Sequence, residues 1–215
     1  MSPEVYTIRD KTIMIDSEMN IVKTKIMNMP SGSAFVVSDF TDIAEYENAK
    51  KCLLRLEKEG LIRRVIRGIY DKPYFSNVLS EYATPNIEEV AKAIARNYNW
   101  KISPFGLTAL NLLGLSTQVA NSYEYYSSGQ YKSYVIGKII ICFKHKSSKE
   151  LLDLSYKSSL VVNAIKELGP SIDGESIATI KKHLSNEEMN ALLHETSGVT
   201  KWIYEIIKKM CNQEE

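Results

Sequence analysis

The 215-residue chain is poor in the features that mark the commoner specialised classes. It has no apolar run of 18 or more residues and no basic segment leading into an apolar one, so a membrane span and a secretory leader are not expected. A cytoplasmic protein is the expectation. Three cysteines (Cys52, Cys142 and Cys211) are too few, too widely spaced and too odd in number for a disulfide framework, and reduced buried thiols are expected instead. His145, His183 and His194 form no HxxxH pair, and the cysteines form no CxxC, so no metal site is indicated. Gly137-Lys138 lacks the upstream glycine of a phosphate loop and leads into the apolar Ile139–Ile141. Neither G-x-G-x-x-G nor G-x-S-x-G occurs, and the carboxylates are scattered. Nothing here indicates an enzyme or a bound cofactor. Net charge is also scarce: 27 Lys/Arg against 26 Asp/Glu give +1, which argues against a histone-like nonspecific polyanion binder.

That near-neutrality hides a concentration. Residues 47–72 hold eight Lys/Arg (50, 51, 55, 58, 63, 64, 67 and 72) against four acids, a local +4 that leaves −3 for the rest of the chain. Within this window Glu47–Glu59 has a helical pattern stopped by Gly60. Ala49, Cys52, Leu53 and Leu56 fall on one face and should enter a core, while Asn48, Lys51, Arg55 and Lys58 follow one another on another face. Leu61–Ile66 and Ile69–Tyr74 are then strands, joined by a tight turn at Arg67-Gly68, where glycine tolerates positive φ.

Upstream, Ser17 is a candidate cap for a helix carrying Met19, Ile21/Val22, Ile26 and Met29, with Pro30 beyond its end. Ala34–Val37 suits a short strand, and Ser38 or Asp39 could cap a short helix over Phe40–Tyr46. Helix, strand, helix, helix, strand, strand is the order of a winged helix-turn-helix. Such a module docks a helix in the major groove while lysines and arginines neutralise phosphates. The candidate DNA-binding residues are Asn48, Lys50, Lys51, Arg55, Lys58, Arg64, Arg67 and Gly68. Arg63 and Arg64 are consecutive on a strand and must point to opposite faces, so only one can join the helix. Arg67, at the turn, has the longest reach toward a phosphate or the minor groove. A winged helix can also dock proteins, and an adaptor that engages a protein partner without specific DNA binding is the alternative.

The expected fold class is α+β: residues 1–16 an N-terminal arm, 17–80 the winged helix, and 85–215 a mixed α/β domain with a small antiparallel sheet. SNVLSEYATPN reads as a polar loop, with the boundary at Pro85. Beyond it, Ile87–Asn97 has helical spacing, and Ser103–Leu115 reads as an apolar helix capped by Ser103 and ended by Gly114. Residues 123–143 carry two or three antiparallel strands with SSGQ as a turn. Leu151–Leu168, Ser176–Leu184, Asn186–Glu195 and Thr200–Cys211 read as helices. Tyr123, Tyr125, Tyr126, Tyr131 and Tyr134 cluster with only Lys132 and Lys138 close by and Glu124 intervening. Cross-strand packing is therefore expected rather than a stacking platform.

Several segments together resemble one family: GSAFVVSDF, KKCLLRLEKEGLIRRVIRGIYDKP, ATPNIEEVAKAIAR, ISPFGLTALNLLGLSTQV and SYEYYSSGQYKSYVIGKIIICFKH. They are similar to the AbiEi-like antitoxins of bacterial type IV toxin–antitoxin systems, in the DUF6088-type branch, over roughly residues 17–207. The wing's R-G-I-Y and the apolar LNLLGLSTQV carry most of that specificity. The resemblance implies a transcriptional autorepressor whose winged helix binds inverted repeats in double-stranded DNA of its own promoter, an arrangement compatible with a dimer on DNA. It also implies a second domain that counters a nucleotidyltransferase-type toxin without a stable direct complex.

Overall fold

A computed structural model describes residues 17–78, 80–147, 151 and 154–212, so the expected N-terminal arm lies outside the described residues. The chain is mixed α/β and divides into two compact units, Met1–Asn99 and Trp100–Glu215.

In the first unit, residues 17–28 are helical (α1). They are followed by β1 (Ala34–Val36), a 3-10 turn at Val37–Phe40, α2 (Tyr46–Lys58), β2 (Arg63–Ile66) and β3 (Ile69–Asp71). The expected helix over Phe40–Tyr46 is absent; only the single 3-10 turn forms. Asp39 explains its tightness, because its carboxylate turns back to accept the Val36 amide at 3.0 Å. The C-terminus of α2 follows the sequence expectation. Gly60 sits at φ +70°, its N–H donates to the Glu57 carbonyl at 3.0 Å, and Leu61 N–H donates to Leu56 at 3.0 Å. Two otherwise unpaired carbonyls are satisfied by this left-handed close.

The three strands form an antiparallel sheet in the order β1-β3-β2. Phe35 lies opposite Tyr70, and both enter one core with Val22 and Ile26 of α1 and with Cys52, Leu53 and Leu56 of α2. On the opposite face, α3 (Ile87–Tyr98) packs against β1 and β3. Every residue of β1 and β3 is consequently buried, as expected of strands covered on both sides. The division therefore falls at Asn99/Trp100 and not at Pro85, because α3 completes the first unit's sandwich. Its start is where the sequence placed it: the Asn86 side chain accepts the Glu89 amide at 3.2 Å. The stretch read as a polar loop holds a second small hairpin, β4 (Phe75–Ser76) with β5 (Glu81–Tyr82), whose rings meet edge-on at 5.2 Å.

Two cations of the 47–72 window are spent on holding this unit together. Arg63, on the α3 face of β2, donates to both Asp71 oxygens at 3.0 and 2.6 Å and to the Ala83 carbonyl at 2.9 Å. Lys72 donates to the carbonyls of Met27 and Met29 at 2.6 and 2.8 Å, closing the C-terminal end of α1.

The second unit contains β6 (Ile102–Pro104), α4 (Leu107–Leu112), β7 (Ser122–Ser127), β8 (Lys132–Ile136), β9 (Ile139–His145) and α5 (Tyr156–Leu168). Then come α6 (Gly174–Lys182), α7 (Asn186–Glu195), a 3-10 turn and α8 (Lys201–Asn212). Its sheet runs β6-β7-β9-β8 and is not purely antiparallel: β9 inserts between β7 and β8 and lies parallel to β7. Residues 128–131 therefore bridge over a strand rather than closing a hairpin, and the tight turn is at Gly137, φ +60°. Ser103 and Pro104 belong to β6, paired with Tyr126 and Tyr125, so the apolar helix is shorter than its sequence suggested. Ala109 and Leu113 still reach a helical core built with α5, α6, α7 and α8. Among the cysteines, Cys52 is buried, whereas Cys142 and Cys211 are half-buried, and none of the three forms a disulfide.

Asp71 has no exposed surface, and the Arg63 side chain is 31% exposed. Arg63→Ala should lower unfolding free energy by about 2–3 kcal/mol in a urea titration, since it strands a buried carboxylate beside a partly wet site. Lys51→Glu should stay within about 0.5 kcal/mol of the parent, and Leu53→Ala should lose about 3 kcal/mol.

Candidate nucleic-acid interface

Helix α2 separates its two roles cleanly. Ala49, Cys52, Leu53 and Leu56 are all fully buried, in agreement with their spacing. Glu47, Lys50, Lys51, Leu54, Arg55 and Lys58 are exposed. At 100° per residue they occupy one continuous arc, with Lys50 and Arg55 at its edges. Asn48 is half-buried, next to the buried Cys52 stripe, and marks the rim of this arc rather than its centre. Arg55 and Lys58 fall in the last turn, where the helix dipole favours cations. Lys50 is partly offset by Glu47 at 3.4 Å.

The hairpin adds two further cations. Arg64 is exposed and pairs across the ladder with Tyr70, which places it on the α2 face of the sheet, opposite to Arg63. Burial pushes the Tyr70 phenol above its usual pKa; the Arg64 guanidinium and the Lys50 ammonium oppose that rise, while Glu57 adds to it. Lys50 and Arg64 thus act on the same ring. The ladder shifts register between Arg64 and Ile66, a bulge that increases local twist before the turn. Arg67 is exposed at that turn, and Gly68 at φ +83° permits it.

Of the eight cations between residues 47 and 72, Arg63 and Lys72 are therefore structural, and Lys50, Lys51, Arg55, Lys58, Arg64 and Arg67 reach the surface. Sequence spacing alone did not single out two further exposed side chains on α2. Tyr46 is 52% exposed, and Leu54 is 37% exposed within the cationic arc. The available signal was Leu54's position, four residues after Lys50 and three after Lys51.

In the second unit, the tyrosine cluster divides. Tyr125 is buried against Phe143, with ring centroids 5.8 Å apart, and Tyr134 meets the same ring edge-on at 6.0 Å. Tyr126 stacks on Phe105 at 3.9 Å, whereas Tyr131 is 72% exposed. Among the described residues, no group of three or more His, Cys, Asp or Glu side chains could hold a metal ion. Among them too, no helix is long and apolar enough to cross a membrane.

No curated protein and no solved structure matches the chain. One family does match, over residues 21–192, which takes in both α2 with its hairpin and most of the second unit. The chain belongs to DUF6088, a family of unknown function.

Proposed function

We propose that the first unit is a winged helix-turn-helix that binds double-stranded DNA, with α2 as the groove-entering helix and the β2–β3 hairpin as the wing. The observation that carries this reading is the shared orientation of the charges. The exposed arc of α2 and Arg64 act on one side of the sheet, Arg67 stands at the hairpin turn, and Arg63 is diverted to the other face. Lys51, Arg55 and Lys58 then neutralise phosphates along the groove, and Arg64 and Arg67 do so on the neighbouring backbone.

On the resemblance to AbiEi-like antitoxins, the DNA is the chain's own promoter, with inverted repeats, and binding represses the operon. The second unit then counters a nucleotidyltransferase-type toxin, without a stable complex between the two proteins. Tyr46 and Leu54 favour a second reading, an adaptor that docks a protein, because exposed apolar side chains within a polar rim also suit a protein partner.

A gel shift on DNA from immediately upstream of the gene should show binding that weakens steeply with salt. Lys51→Glu with Arg67→Glu should abolish the shift at moderate salt while leaving the urea midpoint unchanged. Single neutralising changes should each lower the slope of log K against log salt by about one. A folded double variant that binds as well as the parent would sink the assignment. Stoichiometric co-purification of a protein, without a specific shift, would select the adaptor.

For antitoxicity, co-expression with a neighbouring nucleotidyltransferase-type toxin should restore growth, and the Lys51→Glu/Arg67→Glu variant should restore it equally. Loss of rescue in that variant would assign neutralisation to the first unit instead.

A further inference from the structure

A second concentration of positive charge lies in the other unit. Residues 125–147 contain Lys132, Lys138, Lys144 and Lys146 and no acid, again a local +4; with the helix–hairpin window at +4 and the chain at +1, the remainder carries −7. The sheet topology sends Lys138 to the Gly137 turn at one end and the other three lysines to the opposite end. β6 and β8 run antiparallel to their neighbours, while β7 and β9 run parallel, so the start of β6, the end of β7, the start of β8 and the end of β9 share one end of the sheet. Lys101 precedes β6, Tyr131 precedes β8 and Lys132 opens it, Lys144 and His145 end β9, and Lys146 follows.

That end is closely built. Lys101 and Ser128 exchange hydrogen bonds, with Lys101 N–H on Ser128 Oγ at 3.0 Å and Ser128 N–H on the Lys101 carbonyl at 3.0 Å. His145 Nδ1 lies 2.7 Å from the Gly129 carbonyl. Gly129 must be glycine, because a Cβ there would stand 2.0 Å from the Trp100 indole. These contacts hold the 128–131 bridge against the strand ends and present Tyr131 outward, its ring 6.4 Å from that of His145.

Cations lie over aromatic rings on both faces of this end: Lys132, opposite Phe143, has its Nζ 5.2 Å from the Tyr134 centroid, and Lys144 points to the other face. Lys146 Nζ is 3.6 Å from the Tyr126 centroid, and Lys144 Nζ is 5.0 Å from that of Phe105. Among the described residues, two carboxylates bear on this end, where Lys101, Lys132, Lys144 and Lys146 stand. Glu124 pairs with Lys144 at 2.7 Å, and Glu167 acts on the Tyr126 phenol.

We propose that this end of the second unit's sheet binds single-stranded nucleic acid, with the lysines tracking the phosphates and the exposed Tyr131 ring stacking on a base. Charge complementarity selects a polyanion. The combination of an exposed ring with interleaved lysines selects one whose bases offer free π-faces, which a duplex hides. This surface belongs to the second unit and α2 with its hairpin to the first, and binding here does not depend on the duplex reading.

The test uses the full chain carrying Lys51→Glu/Arg67→Glu, which mutes the duplex surface, and fluorescein-labelled 12-mers of single-stranded RNA and DNA read by anisotropy. At 50 mM salt one or both should bind; their ratio reports whether the 2′-hydroxyl is used. Adding Lys132→Glu/Lys146→Glu should weaken binding at least tenfold and flatten its salt dependence. Adding Tyr131→Ala, a change at a highly exposed side chain that spares the fold, should weaken it on the order of tenfold through lost stacking.

No binding of either oligonucleotide, or binding unaffected by Tyr131→Ala, would overturn the proposal. Binding to phosphatidylserine vesicles in place of oligonucleotides would overturn it as well.

Discussion

The Asp71 carboxylate is fully buried at the end of β3, and its neutralisation constrains the whole first unit. A carboxylate taken out of water needs a cation and further hydrogen bonds. Arg63 supplies the cation through two short contacts and then reaches the Ala83 carbonyl, tying β2 and β3 to the segment that leads into α3. Because neighbouring strand residues alternate, committing Arg63 to that face commits Arg64 to the other, beside Tyr70 and α2. One buried ion pair thus stabilises the sandwich and aims the hairpin's next arginine.

The same economy appears elsewhere in the unit. Asp39 closes the 3-10 turn onto Val36 and also receives Arg96 of α3 at 3.0 Å, while Arg96 donates to the Ala34 carbonyl at 2.9 Å. Lys25 donates to Asp42 and to the Asp39 carbonyl. These polar ties position the short connection before α2 from both sides. The long side chains of the cationic arc of α2 stand at the surface. The charge excess of the window is consequently smaller than a count suggests, yet better directed.

In the second unit, the decisive event is the insertion of β9 between β7 and β8. Lys132 and the end of β9 lie on paired strands, as they also would in a simple meander with a hairpin at residues 128–131. Parallel pairing of β7 with β9 sets the end of β9 directly beside the end of β7, with His145 opposite Ser127, and Lys101 meets the next residue, Ser128. Charges scattered over more than forty residues of sequence become neighbours by topology alone.

Local physics was legible in the residues themselves. The buried stripe Ala49, Cys52, Leu53 and Leu56, the left-handed stop at Gly60, the turn at Gly68, the Asn86 cap and the helix Asn186–Glu195 all follow from spacing and capping within a few residues. So did the opposite orientation of Arg63 and Arg64, because strand alternation is a local rule. What the sequence left open depended on partners far along the chain. Ser103 and Pro104, read as the start of a helix, joined a strand because Tyr126 and Tyr125 were there to pair with them. α3 joined the first unit because β1 and β3 needed a cover on their second face, and periodicity does not say which core a helix enters. Sequence determined where positive charge was concentrated; only the tertiary structure decided which of those charges were spent inside the fold and which reached the surface.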